Sequence, residues 1–173
     1  MHRGLVLAAV CLTPALVVAA GLTYTTPSGW RTQPPGSSMR VAQFVLPRAA
    51  GDPADAELVV YYFGGEGGGV EANVQRWIGQ MQQPGGGSSE KVARRETKTV
   101  NGLKLTLLDV TGTYVAEMMP GAAEHHDNPH YRMRAGVVET PRGPYFIKLV
   151  GPTKTVAKWD EAFNAFVGSL KYQ

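Results

Sequence analysis

Hydrophobic positions in this chain recur with two different periods. RVAQFVL (40–46) and ELVVYYF (57–63) are rich in β-branched and aromatic residues and lie between loop-forming stretches, which predicts strands. The second run is almost continuously apolar, as expected of a central strand covered on both faces. After GGEGGG (64–69), Val70, Val74, Trp77, Ile78 and Met81 repeat at the spacing of one helical face, with Glu71, Asn73, Gln75 and Arg76 on the other. QQPGGGSS (82–89) ends that helix. Residues 91–99 alternate and are charged, so they predict a strand with one wet face. Asn101-Gly102 then joins it to LKLTLLDVTGTY (103–114), because both central positions of a tight hairpin turn need positive φ. YRMRAGVVET (131–140) and PYFIKLVG (144–151) predict a second hairpin, and residues 115–130 read as irregular. Val156, Trp159, Phe163, Phe166, Val167 and Leu170 form the most regular amphipathic pattern, a helix beginning near Thr153 as N-cap. Consecutive hairpins make an antiparallel sheet, and helices with one apolar face must pack on it. The predicted fold class is α+β, an antiparallel β-sheet flanked by helices.

Several short motifs follow this element order. They are Pro-x-Gly-Trp (Pro27 to Trp30), a strand–loop–helix, an antiparallel meander, a strand ending in KLVGP (148–152) and a final Trp/Phe helix. From about Leu22 to Tyr172 the chain resembles the PsbP-like α/β/α sandwich family. That family includes lumenal photosystem proteins and many uncharacterised exported bacterial domains, mostly non-enzymatic assembly or binding factors. The resemblance implies that class of role and carries over no photosystem-binding motif.

The N-terminus MHRGLVLAAVCLTPALVVAAG changes the compartment. Arg3 supplies a short positive start, Leu5 to Ala20 is mostly apolar, and Val18-Ala19-Ala20 offers small residues for cleavage. The apolar stretch is shorter than the roughly 20 residues that cross a bilayer as a helix. We therefore expect residues 1–20 to be a signal peptide and 21–173 a single α+β domain, secreted or periplasmic, with no membrane association after cleavage. Val10 before Cys11 argues against a lipobox. Cleavage would remove the one cysteine, so disulfides, thiol catalysis and zinc–thiolate sites fall away together. A net charge of +3, spread along the chain, is no nucleic-acid footprint.

Candidate chemistry is sparse. GGEGGG precedes a helix as a phosphate loop would, but no Gly-Lys-Ser/Thr follows and Glu66 would repel phosphate. We read it as a linker. The loop 118–130 gathers Met118, Met119, His125, His126, Asp127 and His130, ligand types suited to copper or zinc. Pro120 and Pro129 interrupt any helix that would align them, so we expect no preformed metal site and no cofactor. No G-x-S-x-G elbow is present, a triad would need a distant Ser37 or Ser88, and Asp109, Glu117 and Glu139 are unpaired in sequence. Arg132 and Arg134 share one strand face, with Lys148 on the next strand. They could hold an anion, although a solvated sheet edge is the plainer reading. Trp77 and Trp159 belong to helix cores, and Trp30 could serve either core or surface.

The leading reading is an exported non-enzymatic binding or accessory domain whose partner is an unknown protein or small-molecule ligand. The alternative is copper or zinc binding through loop 118–130, and a further alternative is a hydrolase with an unrecognised site. Mass spectrometry of the exported protein should give a chain starting close to Gly21. A mass that retains Met1 to Ala20 in the exported fraction would contradict the signal-peptide reading.

Overall fold

The computed structural model describes residues 16–19 and 21–173. Most of the expected signal peptide lies outside the described residues. Its Leu16–Ala19 is a strand, β1, pairing antiparallel with β2 (Leu22–Thr25), and β2 also pairs with the last strand, β11 (Lys171–Tyr172).

The main sheet has eight strands and is antiparallel throughout. In chain order they are β3 (Arg31–Gln33), β4 (Arg40–Leu46), β5 (Ala56–Tyr62), β6 (Met81–Gln82), β7 (Arg94–Val100), β8 (Leu103–Tyr114), β9 (Asn128–Glu139) and β10 (Tyr145–Pro152). Their spatial order is β3-β4-β5-β10-β9-β8, with the two ends of β8 paired to β7 and β6. The helices are α1 (Val70–Gly79), a single turn α2 (Ser89–Val92), α3 (Thr153–Lys158) and α4 (Asp160–Gly168). The predicted strands at 40–46 and 57–63 and both hairpins are present. Asn101 and Gly102 adopt φ of 47° and 83°, as a two-residue hairpin turn requires.

Strand alternation divides the core into two layers. On one side, Leu58 and Val60 of β5, Ile147 and Leu149 of β10 and Leu105 and Leu107 of β8 meet α3, α4, β2 and β11. An aromatic group fills this layer. Phe166 lies 4.9 Å from Tyr24, 5.3 Å from Trp30 and 6.1 Å from Phe44 between ring centroids. Trp30 is therefore a core residue. On the other side, Val74, Trp77 and Ile78 of α1 pack on Leu108, Val110, Met133, Ala135, Val137 and Phe146.

Several expectations need correction. Residues 91–99 are not one strand, because a helical turn occupies Ser89–Val92 before β7 begins. The final helix is broken at Trp159, which leaves the helical region at φ −104°, ψ 12°. Trp159 is consequently half-buried at the rim of the core, its Nε1 donating to the Pro47 carbonyl at 2.9 Å. Thr153 is the first helical residue instead of the N-cap, and its hydroxyl donates to the His130 carbonyl. Asn73 is buried: its side-chain amide donates to the Gly67 and Gly69 carbonyls, both at 2.9 Å, and ties the glycine loop to α1. That loop is no loose linker, since a Cβ on Gly67 would stand 2.2 Å from the Phe146 ring.

Arg132 and Arg134 are not on a solvated edge. Odd and even positions of β9 point to opposite faces, and these two point toward α4. Arg132 grips Asp109 with two bonds, at 2.8 and 2.6 Å, and reaches Asp160 at 2.9 Å. Arg134 meets the other Asp160 oxygen at 2.8 Å, donates to Asn164 and covers the Phe163 ring at 4.2 Å. Two arginines thus face two aspartates, and the network seats the start of α4 on the sheet. Asp109, unpaired in sequence, is its centre.

Removing the Phe166 ring should cost about 3–5 kcal/mol, because the aromatic group cannot close the space. Trp159→Ala should cost clearly less, since its ring already meets solvent. Urea melts of Phe166→Ala and Trp159→Ala check the order, and equal losses would place Trp159 in the core.

Candidate functional site

β10 reads YFIKLVGP and lies in the middle of the sheet, between β5 and β9. Its alternation sends Tyr145, Ile147 and Leu149 to the α4 side and Phe146, Lys148 and Val150 to the α1 side. A lysine therefore stands on the floor of the second layer. Burying an ammonium is unfavourable unless donors find acceptors, and two are supplied. Lys148 Nζ donates to Gln80 Oε1 at 2.6 Å and to the Tyr114 hydroxyl at 3.0 Å.

The two acceptors come from distant segments. Gln80 is the C-cap of α1, where the helix stops after Gly79. Tyr114 is the last residue of β8, beyond a bulge. Gly112 pairs with Tyr131 but Tyr114 pairs with Asn128, so β9 carries one extra residue there. Bulges re-aim side chains. Here Tyr114 and Tyr131 come to lie parallel, with ring centroids 6.3 Å apart and planes 7° apart.

α1 packs over β6, β8 and β9. On the β4–β5 part of the same face, polar side chains surround the buried Val59, which pairs with Lys148. Arg40 donates to Gln43 Oε1 at 3.1 Å and stands 3.6 Å from Glu57. Gln43 in turn donates to Glu57 at 2.6 Å. Tyr61 stacks on Phe63 beside them, and the Arg40 guanidinium lies 5.8 Å from the Tyr61 ring. From α1, Arg76 donates to Asn73 Oδ1. Among the described residues, no carboxylate lies within ion-pair distance of Arg76 or Lys148.

The electrostatics follow from this placement. Burial lowers the Lys148 pKa from 10.5 to about 8, and the neighbouring Arg76 charge pushes the same way, against Glu57. Burial raises Tyr114 to about 12 and raises Tyr61 as well, with Arg40 opposing the latter. Both hydroxyls stay protonated at neutral pH and can donate. An ammonium has three protons, and Lys148 uses two in the bonds described. The site is rich in donors and poor in acceptors.

The sequence had grouped Lys148 with Arg132 and Arg134. The register separates them: Lys148 pairs with Ala135 while Arg134 pairs with Leu149, so the arginines and the lysine lie on opposite faces. The signal that was available is a single charge inside the apolar run FIKLV of a central strand. Gln80, Tyr114 and Arg76 carried no such signal, because their approach depends on the helix end and the bulge.

The metal-ligand candidates do not converge. Residues 116–126 form a small hairpin of their own, with Glu117 bridging His125, the His126 N–H donating to the Ala116 carbonyl and the Gly121 N–H donating to the Glu117 carboxylate. Met118 and Met119 are exposed at its tip, at 54% and 69%. His125 is exposed with its ring Nδ1 3.2 Å from the Val115 carbonyl, whereas His126 packs on Tyr114 at 5.0 Å. Asp127 is exposed, and His130 is a bulge residue at φ 59°. Among the described residues, no group of three or more His, Cys, Asp or Glu side chains is placed to hold a metal ion. Two open hollows exist elsewhere. One of about 390 Å³ is lined by Asn101, Glu139 and Tyr172, and one of about 550 Å³ by Arg31, Arg48 and Asp55. In the second, Arg31 and Asp55 already pair with each other.

No protein-family model and no curated protein matches this chain. Solved structures do. Cyanobacterial PsbP (CyanoP) from Synechocystis sp. PCC 6803 aligns with a TM-score of 0.54 at 11% identity, covering 97% of this chain and 98% of that one. LpqN of Mycobacterium tuberculosis, involved in cell envelope biogenesis, aligns at 0.53 and 12%, covering 92% and 88%. PA94 of Pseudomonas aeruginosa, a protein of unknown function, aligns at 0.51 and 14%, covering 92% and 97%. The chain has the PsbP-like α/β/α sandwich fold over nearly its whole length.

The lowered Lys148 pKa has a measurable consequence. Between about 8 and 10.5 the unfolded chain holds this proton and the folded chain does not, so stability rises with pH across that window. Below it, folding bears the full cost of the buried charge. Lys148→Met removes the cost, so its stability relative to the parent should fall by on the order of 2–3 kcal/mol between pH 7 and pH 10. Denaturant melts at both pH values test this, and a constant difference would mean that Lys148 titrates as a solvated lysine.

Proposed function

We propose that this protein is an exported accessory domain of the cell envelope and that it works by binding instead of catalysis. The observation that carries the binding part is the half-covered sheet face. α1 seats on β6, β8 and β9, and beside its last turn, which carries Arg76, lie Lys148, Tyr61 and Tyr114. Protein folds usually bury or neutralise such groups, and charged side chains under pressure from burial and like charge cluster at functional sites.

Three further observations support the setting. The N-terminal segment has the make-up of an export signal. None of the described helices is long and apolar enough to cross a membrane. Of the proteins with the same fold, LpqN is involved in cell envelope biogenesis. A shared fold is an analogy for function and not its cause, so the surface itself has to be tested.

Photo-crosslinking in cells does so. A crosslinking amino acid at position 57 or 76, both exposed beside Lys148, should trap discrete adducts in the extracytoplasmic fraction, whereas one at position 104 should not. Adducts only at position 104, or a protein confined to the cytoplasm with residues 1–20 attached, would defeat the proposal.

A further inference from the structure

The half-covered face presents an excess of donors whose charge is not cancelled. Among the described residues, Glu57 is the carboxylate that acts on it, and Arg40 and Gln43 already occupy it. Lys148 has a proton to spare after Gln80 and Tyr114 are served. The Tyr114 oxygen accepts from Lys148, which leaves its own O–H available to donate. Arg76, on the exposed side of α1, has one bond to Asn73 and donors remaining. Its charge acts on both Lys148 and Tyr61, so the three groups share one electrostatic neighbourhood.

The other face is neutralised. There Arg132 and Arg134 meet Asp109 and Asp160, charge for charge. The same chain thus satisfies one pair of cations internally and leaves Lys148 and Arg76 unmatched. Unmatched donors around a partly buried ammonium are complementary to an acceptor from outside.

We propose that this cluster binds an oxyanion, a carboxylate or phosphate group of the ligand, between Lys148 and Arg76 with the Tyr61 and Tyr114 hydroxyls donating to it. The inference deepens the binding function proposed above and rests on it. The aromatic pairs Tyr61–Phe63 and Tyr114–Tyr131 flank the position, so a carboxylate carried on an apolar body is the better fit. A bound anion also restores the Lys148 charge. The groups that set its titration are Arg76 from α1, Arg40 from β4, Glu57 and Tyr61 from β5, and Tyr114 from β8, with His126 behind the Tyr114 ring.

NMR titration of the purified protein with benzoate and, separately, inorganic phosphate tests this. Saturable shifts at Lys148, Tyr61 and Tyr114 are expected, with a Kd of about 1 mM or tighter for benzoate. Arg76→Gln, an exposed change that leaves the core intact, should weaken binding about tenfold, or about 1.4 kcal/mol. Glu57→Gln should tighten it, an effect that a purely structural role would not produce. Lys148→Met should abolish it, and Lys104→Gln should leave it unchanged. Phosphate outcompeting benzoate would still support an oxyanion site while naming the phosphate group. Shifts that fail to saturate, or that Arg76→Gln leaves unaltered, would overturn the inference. That outcome alongside intact crosslinks from positions 57 and 76 would remove the oxyanion but keep the binding surface.

Discussion

The constraint on which this structure turns is a lysine in the middle of its central strand. β10 has to be covered on both faces, yet its alternation places Lys148 on one of them. Taking an ammonium out of water costs several kcal/mol after relaxation. Hydrogen bonds involving a charged group return about 1.5–3 kcal/mol each. The two bonds to Gln80 and Tyr114 therefore offset much of the cost but do not erase it, which agrees with the lowered pKa. An apolar helix laid across Lys148 would remove the water that still reaches it. Instead α1 ends one residue before its acceptor, and the rest of the face stays polar.

The opposite face solves a similar problem differently. Arg132 and Arg134 are partly buried like Lys148, and two aspartates neutralise them. Breaking a partly buried network of that kind leaves charges stranded, so it fixes where α4 begins. Behind it the aromatic group of Tyr24, Trp30, Phe44 and Phe166 fills the layer. One face is thereby rigid and internally matched, while the other is matched only as far as α1 extends. This asymmetry is the ground on which we propose the α1 side as the binding side.

The strands and their hairpins were legible because each is a local signal. A two-residue Asn-Gly turn fixes register, and β-branched runs fix strands. The α1 and α4 faces were legible for the same reason. The break at Trp159, the helical turn at Ser89–Val92 and the burial of Asn73 were not, because tertiary contacts decide them. Asn73 looks like any polar helix residue until the glycine loop folds back and offers it two carbonyls. The grouping of Lys148 with the arginines failed on register: adjacent strands were seen, but which residues pair across them was not. The site depends on a helix end and a β-bulge, both of which a linear pattern conceals. Loop 118–130 drew attention for its ligand-type residues, yet backbone pairing turns His125 and His126 apart and sends His130 into the bulge.

The proposed binding face depends on Lys148 being a desolvated ammonium beside an unmatched Arg76. Its titration can be followed directly through the Cε carbon by NMR, with Lys148→Met assigning the signal. The structure predicts a midpoint near 8, raised by Arg76→Gln back toward the ordinary value of 10.5. A midpoint at 10.5 in the unaltered protein would mean a solvated lysine and a face with no special character, and would contradict the account.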